Sequence, residues 1–376
     1  MAPRALQELP PGGRPQAGRW NGERDSAPPS PRRYRLSPRG ERPRARVGLG
    51  CLALPGRVLL LGGADPAGAF ADAHFVELAP LRWVPAGWRG LRPRYEHATF
   101  LPGPGPPRLW VFGGAHPAGN RGCVQVLDPE TGTWESPAVK GSPPQPRTFH
   151  TSSAAVGARL FVFGGGHRGA EPVRDQRLHV FDTDTLTWSQ PDTRGDPPSP
   201  RHGHAVVAVG TKLFIHGGLA GDVFYNDLFC IDTSDMRWVK VPATGDIPGG
   251  RASHSSAAFR EHVYIFGGIG PEGTLDTTYK YHTGRQQWTL LQFESPMPAG
   301  RLDHAMCVIP WQAGTQGDRG ATTAGTEPPV QAGDSAGPLQ QGQGSTEDTV
   351  VHLLLVFGGM DTQGQLHGDC LVTLLE

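Results

Sequence analysis

The sequence predicts an all-β protein, a six-bladed β-propeller with an N-terminal strand closing the last blade, and three observations predict it. Six apolar runs each end in a glycine pair: LLLGG (Gly62, Gly63), WVFGG (Gly113, Gly114), FVFGG (Gly164, Gly165), FIHGG (Gly217, Gly218), YIFGG (Gly267, Gly268) and LVFGG (Gly358, Gly359). The first glycines stand 51, 51, 53, 50 and 91 residues apart. A period of that length marks one supersecondary unit that buries its apolar face only by stacking on copies of itself. Around most of the pairs a tryptophan and an arginine recur at nearly fixed offsets.

Each element of the unit has a physical reason. The aromatic and β-branched run before the pair reads as a buried strand. The glycines let the backbone turn where a Cβ would clash. Fourteen residues past the second glycine stands Glu77, Asp128, Asp232 or His282, and the third unit, three residues longer, reaches Asp182. The turns that follow (DPETGT, DTDTLT, DTSDMR) use Asp, which bonds its own backbone two residues on. Six residues later Trp83, Trp134, Trp188, Trp238 and Trp288 begin the next strand, where a large apolar face can fill the gap between blades. Arg147, Arg201, Arg251 and Arg301 follow their tryptophans by thirteen residues and Arg94 follows Trp83 by eleven. Each unit therefore has four strands: one after the arginine, one ending at the glycine pair, one ending at the acidic turn and one starting at tryptophan.

The last unit is incomplete and interrupted. After Gly359 the chain runs only to Glu376, where a third strand (CLVTLL) ends, so the N-terminus must supply the fourth. Thirteen residues before Arg46 lies Arg33, beside Tyr34, and twenty-six before it lies Trp20. Two arrangements stay open: Tyr34–Pro38 closes the blade with Tyr34 as anchor, or Trp20 is the anchor and 21–33 are inserted. The interval from Arg301 to Gly358 is 57 residues where the other units have 16 to 19. The Gly/Thr/Gln/Ala stretch 312–349 supplies the excess and is expected to be a disordered surface loop, more simply a tolerated insertion than a regulatory one. The domain reading is a Pro/Arg-rich disordered tail over 1–33 and the propeller over 34–376.

Formal net charge is zero, but residues 1–46 hold eleven arginines and four acids, so the ring is mildly acidic and the tail basic. The tail lacks interleaved aromatics, and the expectation is a solvated segment and no nucleic-acid partner. Prolines throughout it break any amphipathic targeting helix, and no signal peptide or membrane-length apolar run is present. Cys51, Cys123, Cys230, Cys307 and Cys370 show no paired framework, which suits reduced thiols in the cytoplasm.

The repeated R-x-x-H (Arg94/His97, Arg147/His150, Arg201/His204, Arg251/His254, Arg301/His304, with Arg46/Leu49 in the first unit) resembles a ring of metal ligands. Equivalent positions in adjacent blades are on the order of 10 Å apart, too far to converge on an ion that needs bonds of about 2 Å. The expectation is hydrogen bonding within the repeat, with no metal, no cofactor and no catalytic residue; no phosphate loop, nucleophile elbow or HExxH is present. Candidate partner-binding residues are those in the loops after the glycine pairs, which differ between units while the framework repeats: Asp65, His116, Asn120, Arg121, His167, Arg168, Asp222, Tyr225 and Glu272.

The repeat resembles the kelch motif over nearly all of Arg46–Glu376. The stretches PRTFHTSSAA, TKLFIHGGLAGD, GRLDHAMCVIPW and GNRGCVQVLDPETGTW are similar to the Rab-effector branch of the kelch family. That resemblance implies a non-catalytic effector that binds a GTP-bound late-endosomal Rab GTPase and promotes vesicle transport from endosomes to the trans-Golgi network. It also implies association with an endosomal phosphoinositide kinase, and a cytoplasmic protein recruited peripherally to endosome membranes through its partners. The competing expectation is a substrate-receptor or scaffold of a ubiquitin ligase. It is weakened because the sequence shows neither a BTB domain ahead of the ring nor a cullin-adaptor box after it.

Overall fold

A computed structural model of the chain describes residues 6–8, 32–103, 108–148, 153–168, 171–294, 298–313 and 349–375. Their main strands form six antiparallel blades, with a two-residue strand added in parallel at the outer edge of blades three and five. Blade one is Gly50–Leu54, Arg57–Leu61, Ala73–Leu78 and Leu81–Pro85; blade two is Ala98–Phe100, Trp110–Phe112, Val124–Asp128 and Thr133–Glu135. Blade three is Ser153–Val156, Arg159–Val162, His179–Asp182 and Thr187–Ser189; blade four is Ala205–Val209, Lys212–His216, Leu228–Asp232 and Arg237–Lys240. Blade five is Ser255–Phe259, His262–Phe266, Thr278–His282 and Gln287–Leu291. Blade six combines Ala305–Ala313, Thr349–Phe357 and Cys370–Leu375 with the N-terminal strand Arg33–Leu36.

The glycine pairs sit where the ring is stitched together. In every blade the arginine donates from Nη1 to the carbonyl of the first glycine: Arg46 to Gly62, Arg94 to Gly113, Arg147 to Gly164, Arg201 to Gly217, Arg251 to Gly267 and Arg301 to Gly358. The second glycine donates its N–H to the arginine carbonyl of the next blade, from Gly63 to Arg94 round to Gly359, which bonds Arg46 at 3.0 Å and closes the circle. The histidine of R-x-x-H packs on the first glycine of the blade before it. A Cβ on Gly62, Gly164, Gly217 or Gly267 would stand 2.7–3.0 Å from Cε1 of His97, His204, His254 or His304. In blade one Leu49 takes this place over Gly358. These four histidines thus serve packing and hydrogen bonding, as with His204 Nε2 at 2.9 Å from Phe163 O, and His150 lies outside the described residues.

A second collar lines the channel. The residue before each of these histidines adopts a left-handed backbone, φ 51–55° at Glu96, Ser253 and Asp303. Its amide is spent on the preceding blade: Glu96 N–H to Gly48 O, Gly48 to Asp303, Asp303 to Ser253 and Ser253 to Gly203, all 2.6–3.0 Å. Such strain persists only where surrounding contacts over-determine it, as these amide bonds from blade to blade do.

The five tryptophans are buried, between 1% and 6% exposed, in the gaps between blades. Each packs with the residue before the preceding blade's glycine pair: Trp83 on Phe357, Trp188 on Phe112, Trp238 on Phe163 and Trp288 on His216, at 4.8–5.6 Å between ring centroids. Trp134 shares a core cluster with Leu61.

At the sixth gap Tyr34 is not the anchor, which corrects that arrangement of the closing strand. Trp20 lies outside the described residues, and Tyr34 pairs with Val372. Arg33 pairs with Thr373, three residues into its register, as Trp288 does with Tyr281. A glycine seven residues on (Gly90, Gly141, Gly195, Gly245) backs onto the next blade's tryptophan, and Gly40 does so seven residues after Arg33. Arg33 is 3% exposed, with its guanidinium 5.3 Å from the Phe266 ring, 3.7 Å from Phe293, and Nη2 donating to Thr278 Oγ1 at 2.5 Å. Phe266 is the residue before blade five's glycine pair, so the cation occupies the tryptophan position.

Two boundaries also shift. Leu6–Glu8, inside the tail expected to be disordered, is a strand antiparallel to Arg33–Leu36. The blade-six hairpin runs to Ala313 paired with Thr349, so Gln312, Ala313 and Thr349 belong to strands that their apolar, β-branched neighbours extend; 314–348 lie outside the described residues.

Candidate partner-binding face

The segments after the glycine pairs and the linkers carrying the arginines lie on one end of the ring, because the second strand ends where the first begins. In blades one, three, four and five the segment is a miniature hairpin: Ala64–Asp65 with Gly68–Ala69, Gly166–Arg168 with Glu171–Pro172, Leu219–Ala220 with Val223–Phe224, and Ile269–Gly270 with Gly273–Thr274. In blade two His116 and Gly119 exchange backbone hydrogen bonds across a tight turn. The hairpins of blades one, four and five are fixed on the neighbouring blade, where Arg94, Arg251 and Arg301 donate N–H to Phe70, Tyr225 and Leu275. The face is therefore pre-formed, not a set of free loops.

Several predicted residues are structural members of this face. Asp65 forms an ion pair with Arg44 and caps Ala67 N–H. Arg121 donates Nε to Pro93 O at 3.0 Å. Tyr225 lies under Arg201, with its ring 3.9 Å from the guanidinium. Asn120 donates to His167 O at 2.7 Å and so joins the segments of blades two and three. His116 accepts from Ala118 N–H at Nδ1. Arg168 lies in the blade-three hairpin strand beside exposed His167.

Asp222 and Glu272 are exposed at the hairpin tips of blades four and five. Beside Asp222, sequence reasoning misses Val223, which is 55% exposed; an apolar residue in a two-residue hairpin strand carries no periodic signal. Beside His167 a groove of about 620 Å³ is lined by Pro143, Pro144, Glu171, Arg174 and Arg177. Asp175 in its wall bonds His179 Nε2 at 2.6 Å and approaches Arg147. Burial pushes the His179 pKa down against that carboxylate, while the hydrogen bonds hold Asp175 below its ordinary value.

The chemistry deeper in the ring is that of a packed core. Burial first, and the nearby arginines second, push the pKa of His216 and His304 down to about 3, and His254 falls well below its ordinary value. Among the described residues no three His, Cys, Asp or Glu side chains are arranged to hold a metal ion, and no helix is long and apolar enough to cross a membrane.

Comparison with known proteins agrees with this architecture. Residues 48–268 match the KLHDC2/KLHL20/DRC7 Kelch-repeats domain, and residues 250–292 match the Kelch motif. The chain is 74% identical to a "Rab9 effector protein with kelch motifs" of Gallus gallus over the whole of both chains. It belongs to the family of Rab9 effector proteins with kelch motifs. Members from Homo sapiens and Danio rerio are also similar, the first 56% identical over 99% of each chain and the second 53% identical over 91% of this chain and 95% of that one.

Proposed function

We propose that this protein is a non-catalytic Rab effector that binds the GTP-bound form of Rab9 through the hairpin face. The observation that carries the reading is full-length membership of a family named for Rab9 effectors, on a scaffold whose one end carries hairpins held by backbone hydrogen bonds. A GTPase interface of standard size buries about 1,600 Å². Asp222 and Val223 set a carboxylate beside an exposed apolar residue at the blade-four tip, and Glu272 is exposed at the blade-five tip, a composition that fits a basic partner surface with an apolar contact. In this reading the protein is cytoplasmic, is recruited peripherally to endosome membranes by its partner, and promotes endosome to trans-Golgi network transport, with an endosomal phosphoinositide kinase as a further associate.

The test is titration of the purified chain against Rab GTPases loaded with a GTP analogue or with GDP. Selective binding of GTP-loaded Rab9, weakened about tenfold or more by Val223→Asp with an unchanged unfolding midpoint, is expected. Binding that ignores the nucleotide, or none at all, would sink the effector reading. Full binding by the Val223→Asp variant would move the interface off this face.

A further inference from the structure

Among the five cysteines, Cys51 and Cys307 come together across the seam where the ring closes. Cys51 lies in the first strand of blade one and Cys307 in the first strand of blade six, 256 residues apart in sequence, with Sγ atoms 3.1 Å apart. Thiols in neutral van der Waals contact stand farther apart, and a disulfide closes the separation to about 2.05 Å. We propose that Cys51 and Cys307 are a built-in disulfide site that locks blade one to blade six when the protein meets a peroxide.

The position gives such a bond a purpose. Blade six receives its first three strands from one end of the chain and its fourth, Arg33–Leu36, from the other. The C-terminal strands are therefore held to blade one by non-covalent contacts: the Arg33–Leu36 pairing, Gly359 N–H to Arg46 O, Gly48 N–H to Asp303 O, and Trp83 against Phe357. A Cys51–Cys307 bond would make the ring covalently continuous at that seam. Cross-links that close long loops restrict the unfolded chain most, which is the sense in which this pair is well placed.

Access and chemistry agree on which thiol reacts first. Cys51 is half-buried and lines a channel cavity of about 160 Å³ together with Glu96, His97, Ser255 and Asp303, whereas Cys307 is buried behind it. The Cys51 thiolate attacks one oxygen of hydrogen peroxide, breaks the O–O bond, becomes a sulfenic acid and releases hydroxide. Cys307 then attacks the Cys51 sulfur, forms the S–S bond and expels the sulfenic oxygen, which leaves as water with the thiol proton. Two thiols are oxidised and one peroxide is reduced to two waters. The contact with Cys307 and burial both raise the Cys51 pKa well above its ordinary value, so the first step is slow and the site responds to sustained oxidation, not to a brief pulse. A thiol reductant returns the pair.

The experiment treats the full-length chain with excess hydrogen peroxide, then measures intact mass, peptide maps without reduction, and thermal unfolding. A loss of two hydrogens, a Cys51–Cys307 linked peptide and a midpoint raised by on the order of 5 °C, all reversed by dithiothreitol, are expected. Cys51→Ser, at the half-exposed position, should abolish the linked peptide and the shift, while Cys123→Ser should leave both intact. Five free thiols after prolonged treatment, or a bond mapped to another pair or between chains, would overturn the proposal.

Discussion

The gaps before blades five and six are filled with opposite chemistry. Before blade five, Trp288 is 1% exposed against His216, Tyr279 and Tyr281, an aromatic packing centred on a neutral indole. Before blade six, Arg33 presents a planar cation to Phe266 and Phe293 and ties itself to Thr278. Burial lowers the Arg33 pKa to about 9, with Asp276 acting in the other direction, so the guanidinium is charged at neutral pH and its desolvation is a cost. A guanidinium is flat enough to stack in place of an indole and is less strongly hydrated than an ammonium. The comparison teaches that the gap requires a planar group of some size more than it requires an apolar one. It also shows that the seam relies on strand pairing for what tryptophan supplies elsewhere.

The largest test removes the pairing itself. Deleting residues 1–40 takes away Arg33–Leu36 and leaves Cys370–Leu375 as an unpaired sheet edge beside an open gap. The expected outcome is a loss of roughly 5 kcal/mol or more, with aggregation, read by chemical denaturation and light scattering. A variant that stays monomeric with the parent midpoint would show that the ring holds without its closing strand.

Next come matched truncations on the two sides of the comparison. Trp188→Ala, or Trp288→Ala, should destabilise by about 3–5 kcal/mol, as for a core tryptophan. Arg33→Ala should lose less, about 2 kcal/mol, since stacking and one hydrogen bond are partly offset by removal of a buried charge. Equal losses would mean that the cation anchors as strongly as the indole.

The comparison also shows where a sequence is readable. The glycine pairs, tryptophans and arginines are legible because ring geometry places the same demand at each repeat: Gly62, Gly164, Gly217 and Gly267 leave no room for a Cβ beside the histidine. The spacing from Arg46 points at Arg33 as well, but residue type points away from it. An arginine at an anchor position looks like part of a basic tail until Phe266 and Phe293 are seen to flank it. The partner face is legible as a set of loops and no further. Asp65, Arg121 and Tyr225 are engaged with Arg44, Pro93 and Arg201 through contacts that join different parts of the chain, and no local pattern announces them. Val223 is exposed because of where the hairpin ends, which periodicity does not report.

Acid separates the two gaps. His216, His254 and His304 are held neutral by burial, so their folded pKa values lie below the unfolded value of 6.5. Unfolding takes up protons below that value; the stability they contribute is complete above about pH 6.5 and is lost as pH falls toward 3, at roughly 1 kcal/mol per pH unit for each. Asp303, raised to about 6 by burial, works in the opposite sense: its contribution is complete below about pH 4 and is lost as pH rises through 6. Three histidines outweigh one carboxyl, so the net expectation is a midpoint that falls between pH 6.5 and 4. Replacing His216 beside Trp288 with a neutral residue should reduce that slope, whereas Arg33→Met should leave it unchanged. A slope unaffected by His216→Gln would place the proton uptake elsewhere.

The smallest effect is expected within blade six, at the end of its hairpin away from the closing strand. Ala313 and Thr349 are paired, so joining them through a two-residue Asn-Gly turn replaces 314–348 without disturbing the register from Ala305–Phe357 outward. Removing a long connection reduces the entropy of closing it, and stability should be unchanged or raised by on the order of 1 kcal/mol. Extending the deletion to 312–349 removes Gln312, Ala313 and Thr349 from the ladder and should reverse the gain. A large loss from the shorter deletion, seen as a lower midpoint or aggregation, would mean that blade six depends on its insertion as it does on Arg33–Leu36. The two sides of the blade would then be equal in kind, with strand pairing at neither sufficient alone.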